Sequence, residues 1–321
     1  MAQVAGTFRT NDMIGIREDL SDVIYNISPK ETPFMSAIGR EKATQTLTEW
    51  QTDALAAVDS SNKQVEGDDA AYATVAPTTR LSNYTQISRK AIIVSGTARA
   101  VDAAGRADEF EYQAAKRAAE LKRDMEAILC SEQDSSAGTV TVARKLGGYE
   151  SWITSNTSRG AGASSGGYSG GRTSSPQDAS AGSLRSFTEA LLKSVMQSAW
   201  SAGGQPSLAI MGPSVKQQAS AFSGIATQYR ENSGVKQATI LAAASVYVSD
   251  FGEIKLVPSR FSRSRSVLLV DPEFWAVSYL RPFKTEKMAK TGDADKALMT
   301  VEYTLISKNE ASSGVIADLK G

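Results

Sequence analysis

Two stretches of the chain match the spacing G-x-S-x-G: Gly162 to Gly166 (GASSG) and Gly167 to Gly171 (GYSGG). In a nucleophile elbow such a serine sits on a tight strand-to-helix turn and gives its proton to a histidine. This chain has no histidine, and both matches lie in a run of glycine and serine. That argues against a histidine-dependent hydrolase, and it also removes the commonest metal ligand and the usual general base near neutral pH. No G-x-x-x-x-G-K-[ST] follows these glycines, so they read as a flexible loop and not as a phosphate cradle. Glu66, Asp68 and Asp69 could hold a hard cation, yet the EF-hand spacing is missing, and they read as a solvated or partner-facing acidic tip. Arg260, Arg263 and Arg265 (SRFSRSRS) form the one concentrated basic patch, which reads as an ion-pair surface between subunits. Asp293 and Asp295 belong to a turn at Gly292. Cys130 is the only cysteine, so no intrachain disulfide can form, and it reads as a small core residue. No catalytic, cofactor-binding or metal-binding set emerges.

The chain has 321 residues, room for about two domains of ordinary size. With 41% hydrophobic and 22% charged residues it can bury a substantial core. Lysine plus arginine equals aspartate plus glutamate at 35 each, so no global field draws the chain to nucleic acid or an anionic membrane. No uninterrupted run of 18 apolar residues occurs, and a soluble intracellular protein without a membrane partner is expected.

The elements come in an unusual order. Ile16, Leu20, Val23, Ile24 and Ile27 recur at helical spacing up to Pro29. In the segment ETPFMSAIG, Thr32 can cap, Pro33 fits the first helical position and Gly39 can close a second short helix. Thr44 to Thr52 reads as a strand and Tyr84 to Thr97 as a longer one, giving a long hairpin with the acidic residues at its tip. Asp108 to Leu129 carries the strongest helix pattern, with Phe110, Ala114, Ala118, Leu121, Met125 and Ile128 on one narrow stripe that should pack on a sheet. Thr139 to Val142 reads as a short strand, and Thr157 to Gly182 as a structureless excursion. Ser186 and Glu189 suggest a capping box for a helix whose apolar face is Phe187, Leu191, Val195 and Ala199. Beyond it lie SLAIM (207–211), a helix over 213–222, strands at 245–248, 254–257 and 267–270, and an alternating stretch from Met299 to Leu305.

Short amphipathic helices and isolated hairpins are marginal alone, so arm and hairpin each need a surface to lie on. The strings ISPKETPFMSAIG, GYESWITSNTSRGAG, FGEIKLVPSRF, LLVDPEFWAVSYLRPF, AKTGD and VEYTLISKNEASSGVIADL together closely resemble one family of tailed-bacteriophage major head proteins, collinearly from about residue 16 to 320. The resemblance implies an α+β protein with the Hong Kong 97-type capsid fold, also called the Johnson fold. It implies an N-terminal arm (1–43), an extended hairpin loop (44–97) and a peripheral domain (98–204) with a spine helix at 108–129. An axial domain (205–271) and a return to the peripheral domain (272–321) follow. It implies a homo-oligomer, hexamers and pentamers in an icosahedral shell around DNA, assembled in the host cytoplasm, with scaffold, portal and decoration proteins as further partners and no cofactor.

Two expectations about contacts follow. Pro33, Phe34, Met35 and Ile38 should pack against an adjacent subunit, and Glu66, Asp68 and Asp69 should meet Arg260, Arg263 and Arg265 across a subunit boundary. The rival readings are a protein compartment of the same fold enclosing enzymes, and a histidine-free enzyme using paired carboxylates, such as a glycosidase.

Overall fold

The computed structural model describes residues 31–69, 72, 74–75, 77–101, 108–222 and 246–321. The helix expected over Ile16–Ile27 lies outside them.

Two sheets share the body. The first has four strands in the order β1-β12-β13-β4: Gly39–Lys42, Trp275–Met288, Ala294–Ser307 and Gln86–Ser95. β1 runs parallel to β12, and the other pairs are antiparallel. Alternation sends Met299, Val301, Tyr303 and Leu305 to one face of β13, and Trp275 and Val277 join them from β12. Helix α3 (Glu109–Leu129) covers this face with Leu121, Met125 and Leu129, and Asp108 caps its N-terminus by accepting from the Phe110 N–H.

The second sheet has six strands in the order β5-β14-β11-β8-β10-β9: Thr157–Ser158, Gly314–Ile316, Val267–Val270, Leu208–Met211, Gly252–Pro258 and Val246–Ser249. LAIM and VLLV are continuously apolar because both faces of β8 and β11 are buried. Leu208, Ile210, Leu268 and Val270 enter the core beneath α3. Ala209, Met211, Val267 and Leu269 enter a second core closed by α5 (Glu189–Ser201) and α6 (Pro213–Ser220).

Several expectations are corrected. The hairpin pairs β2 (Leu47–Thr52) with β3 (Thr79–Tyr84), from Leu47 opposite Tyr84 to Thr52 opposite Thr79. The longer strand after Thr85 changes sheets instead, because Ile92 and Val94 of β4 find an apolar site against Phe110 and Ala114. Thr139–Val142 is a turn closed by the Thr139 N–H donating to the Val142 carbonyl at 2.8 Å. Thr188, not Ser186, occupies the N-cap of α5, and Leu192 and Met196 are buried there while Leu191 is only partly covered. Helix α1 (Pro33–Ala37) starts at Pro33 as expected, but Gly39 begins β1 and does not cap the helix.

The excursion at 157–182 is ordered. It contains β5, a hairpin of β6 (Gly167–Ser169) with β7 (Arg172–Ser174), and a β-bridge between Ser164 and Gln177. Gly170 and Gly171 turn the hairpin with positive φ. At Gly166 a Cβ would lie 2.7 Å from the Ser151 carbonyl oxygen, so that glycine serves close approach, not flexibility.

Candidate functional site

Helix α1 answers what the arm lies on. Its first-turn N–H groups cannot be satisfied within five residues of helix, and the Thr32 side chain does not cap them. The Glu126 carboxylate of α3 does so, accepting from Phe34 N–H at 2.7 Å and Met35 N–H at 2.9 Å. Glu126 is fully buried, and burial pushes its carboxyl above the ordinary range despite the two donors. Phe34 meets the Tyr149 ring edge-on at 5.5 Å, and Tyr149 packs on Trp275 at 4.5 Å. Phe34, Met35 and Ile38 thus belong to the core of their own chain, and the expectation that they cover a neighbour is corrected. Their apolar surface is already consumed by α3 and the four-stranded sheet. Pro33 is half-buried and, with Glu31, Pro258 and Arg260, lines a shallow groove.

Arg263 is likewise committed internally. It donates to Glu132 and Glu150 at 2.8 Å each and to Asp178. Glu150 is wholly buried, which pushes its carboxyl up against the opposing pull of Arg263. Arg159, also buried, stands 3.7 Å from Glu150 and 4.0 Å from Asp178. Pairing Arg263 with the hairpin tip would take this partner from the buried Glu150, so that expectation is corrected for Arg263. Arg260 is exposed and Arg265 half-buried. Glu66, Asp68 and Asp69 are exposed around a turn at Gly67, whose φ is +84°. Beyond the last hairpin pair the apolar side chains stand in solvent: Leu55 is 99%, Val58 96% and Tyr72 95% exposed.

At the base of the hairpin, Trp50 of β2 donates through Nε1 to the Ser307 carbonyl at 2.8 Å, and Asn83 of β3 donates to the Leu305 carbonyl at 2.7 Å. Trp50 also meets Trp152, which stacks on Tyr168 of the excursion. Sequence reasoning marked Trp152 as a buried anchor but missed Glu126, Glu150 and the partners of Trp152, Trp50 and Tyr168. A carboxylate adjoining Met125 at the edge of the buried stripe of α3 was the one available signal for Glu126.

The serines of the two G-x-S-x-G matches, Ser164 and Ser169, sit on a β-bridge and a hairpin strand and not at strand-to-helix turns. Asp295 pairs with Arg99 at 2.6 Å and Lys290 at 2.7 Å. Among the described residues there is no group of three His, Cys, Asp or Glu side chains placed to hold a metal ion, and no helix long and apolar enough to cross a membrane.

The chain matches the family described as SU10 major capsid protein over residues 3–320. It is 28% identical, over 359 aligned residues, to the major capsid protein of Escherichia phage Phieco32, with 98% of this chain and 97% of that relative covered. A solved structure from Gordonia phage Cozz matches with a TM-score of 0.61 at 11% identity, covering 99% of this chain and 97% of that one. The holo-SrpI encapsulin of Synechococcus elongatus PCC 7942 matches with a TM-score of 0.52 at 9% identity, covering 92% of each chain. At such identities the structural likeness bears on fold alone, which is of the Hong Kong 97 type. With the family's pattern running through nearly every element from arm to last strand, this protein belongs to the SU10 major capsid protein family.

Proposed function

We propose that this chain is the major capsid protein of a tailed phage and that its copies assemble, as pentamers and hexamers, into an icosahedral shell enclosing the DNA genome. The observation that carries this reading is the hairpin beyond Thr52 and Thr79, whose leucine, valine and tyrosine side chains find no cover among the described residues of their own chain. A two-stranded ribbon is marginally stable alone, and a like copy is the partner always at hand during assembly. Heterologous contacts that close into rings build cages from many modest interfaces. In this reading α3 is the spine of a peripheral domain, 205–271 is the axial domain, and 272–321 returns to the four-stranded sheet. Residues 1–43 form the arm. Zero net charge suits an inner wall that contains DNA without gripping it, since a basic lining would bind the polymer through counterion release. Assembly in the host cytoplasm, with scaffold, portal and decoration proteins, completes the proposal.

Glu66, Asp68 and Asp69 remain proposed partners of Arg260 and Arg265 across a subunit boundary. Exposed pairs contribute only about 0–1 kcal/mol each, so they act on geometry and rate more than on stability.

A shell enclosing enzymes is the second reading, favoured by the shared fold of the encapsulin. Expression of the full chain followed by negative-stain microscopy and nuclease digestion tests both. Closed particles that form in phage-infected cells and protect DNA support the genome reading; particles carrying protein cargo and no DNA refute it.

A further inference from the structure

We infer that the glycine- and serine-rich excursion, residues 157–182, is a strut that fixes the angle at which the hairpin leaves the body, with Tyr168 as its positioning residue. A composition that usually marks a flexible linker is here tied down along its length. The Asp318 carboxylate accepts from the Gly160 and Ala179 N–H groups, both at 2.8 Å. Thr173 and Ser135 exchange reciprocal hydrogen bonds, each 2.9 Å from backbone N–H to hydroxyl. From this fixed base, Tyr168 stacks on Trp152 with ring centroids 5.4 Å apart and planes only 9° from parallel. Trp152 in turn meets Trp50 of β2 at 5.4 Å. The Tyr168 hydroxyl lies 2.8 Å from the Ser82 hydroxyl on β3. The strut therefore holds β3 directly, through the hydrogen bond, and β2 indirectly, through Trp152.

The remaining ties of the ribbon base run to β13, through Trp50 Nε1 to the Ser307 carbonyl and Asn83 to the Leu305 carbonyl, and to Gly147, whose N–H donates to the Asn83 side chain at 2.8 Å. These ties hold the foot of the ribbon to the body through Trp50 and Asn83. The strut adds separate points of contact on β3, where the Ser82 hydroxyl meets the Tyr168 hydroxyl and the Gly171 carbonyl, and each further contact restricts the tilt. The lever makes this matter. Residues 53–78, out and back, reach at most about 43 Å, so a tilt of about 5° at the base displaces the tip by about 4 Å. That is enough to move the tip off its site on another copy. The consequence for shells rests on the assembly reading; the strut itself does not.

The test uses the full chain with paired spin labels at Leu55→Cys and Gln197→Cys, both exposed, while Cys130 is buried and does not compete for label. Tyr168→Ala is expected to broaden the label-to-label distance distribution at least twofold and to widen the spread of shell diameters. Tyr168→Phe, which keeps the ring stack but loses the hydrogen bond to Ser82, is expected to give an intermediate width. Should the alanine chain fail to fold, Tyr168→Leu, which keeps apolar volume without a planar ring, carries the same expectation of broadening. A folded alanine or leucine variant with the wild-type width overturns the inference, even if its melting temperature falls. A wild-type chain that forms no shells while Tyr168→Ala still broadens the distribution refutes the assembly reading and leaves the strut standing.

Discussion

Removal of the first 30 residues and removal of the first 39 should have entirely different outcomes. The longer truncation takes away Phe34, Met35 and Ile38, all buried in the core shared by α3 and the four-stranded sheet. Burial of such side chains stabilises by about 1.5–3 kcal/mol each, so the three together contribute roughly 5–9 kcal/mol. Total stability of a folded chain is typically about 5–15 kcal/mol. The same cut leaves Glu126 buried without the two N–H groups that now satisfy it, which adds to the loss. Urea unfolding of both chains, followed by tryptophan fluorescence, should show a cooperative transition for the chain starting at Glu31. The chain starting at Arg40 should show an early or absent transition. Coincident midpoints would refute the placement of α1 in the core. With the expected result, failure of the longer truncation to form shells says nothing about the arm, and only the shorter one tests its role in assembly.

Arg263→Ala should cost the unassembled chain about 3–5 kcal/mol by breaking its pair with the buried Glu150, whereas Arg265→Glu should leave the denaturation midpoint unchanged and slow assembly followed by light scattering. A neutral Arg263→Ala, or an Arg265→Glu chain that assembles at the wild-type rate, would count against the division of roles. Glu126→Gln should destabilise by about 1–3 kcal/mol, since one N–H loses its acceptor. Because burial raises the Glu126 carboxyl in the folded state, its contribution is full below the ordinary carboxylate range and is lost as pH rises through the raised value. The gap between wild type and Glu126→Gln should therefore narrow with rising pH, and a gap that widens would refute the sign.

Elements whose cause is local were legible in the sequence. Helix α3 follows from apolar residues at spacings of three and four with Asp108 before them, and β8 and β11 from unbroken apolar runs. What the limbs rest on was not legible. The Phe34 side chain signals an apolar face, but its acceptor Glu126 and its ring partner Tyr149 lie about a hundred residues away. The charge of Arg263 was visible, yet the burial of Glu150 in GYESW was not, because a glutamate beside a tyrosine looks like surface. Glycine and serine in the excursion suggested mobility, and its order comes from Asp318 and Ser135, one far downstream and the other before it. The switch of sheets at Thr85 is hidden because one extended stretch feeds two ladders without a break in pattern.

Both sheets join strands from opposite regions of the chain: β1 pairs with β12, and β14 sits between β5 and β11. On a ribosome adding about 5–20 residues each second, Gly39 waits roughly 12–47 s for Ala276 to be made. Until then the inward faces of the early segments have no permanent cover, and such non-local pairing is slow even once the chain is complete. A half-translated subunit is thus a sticky nascent polypeptide, and molecular chaperones are the natural guardians of that interval. The same delay keeps partial chains from being incorporated, since no finished body exists to display the hairpin until β14 has been made.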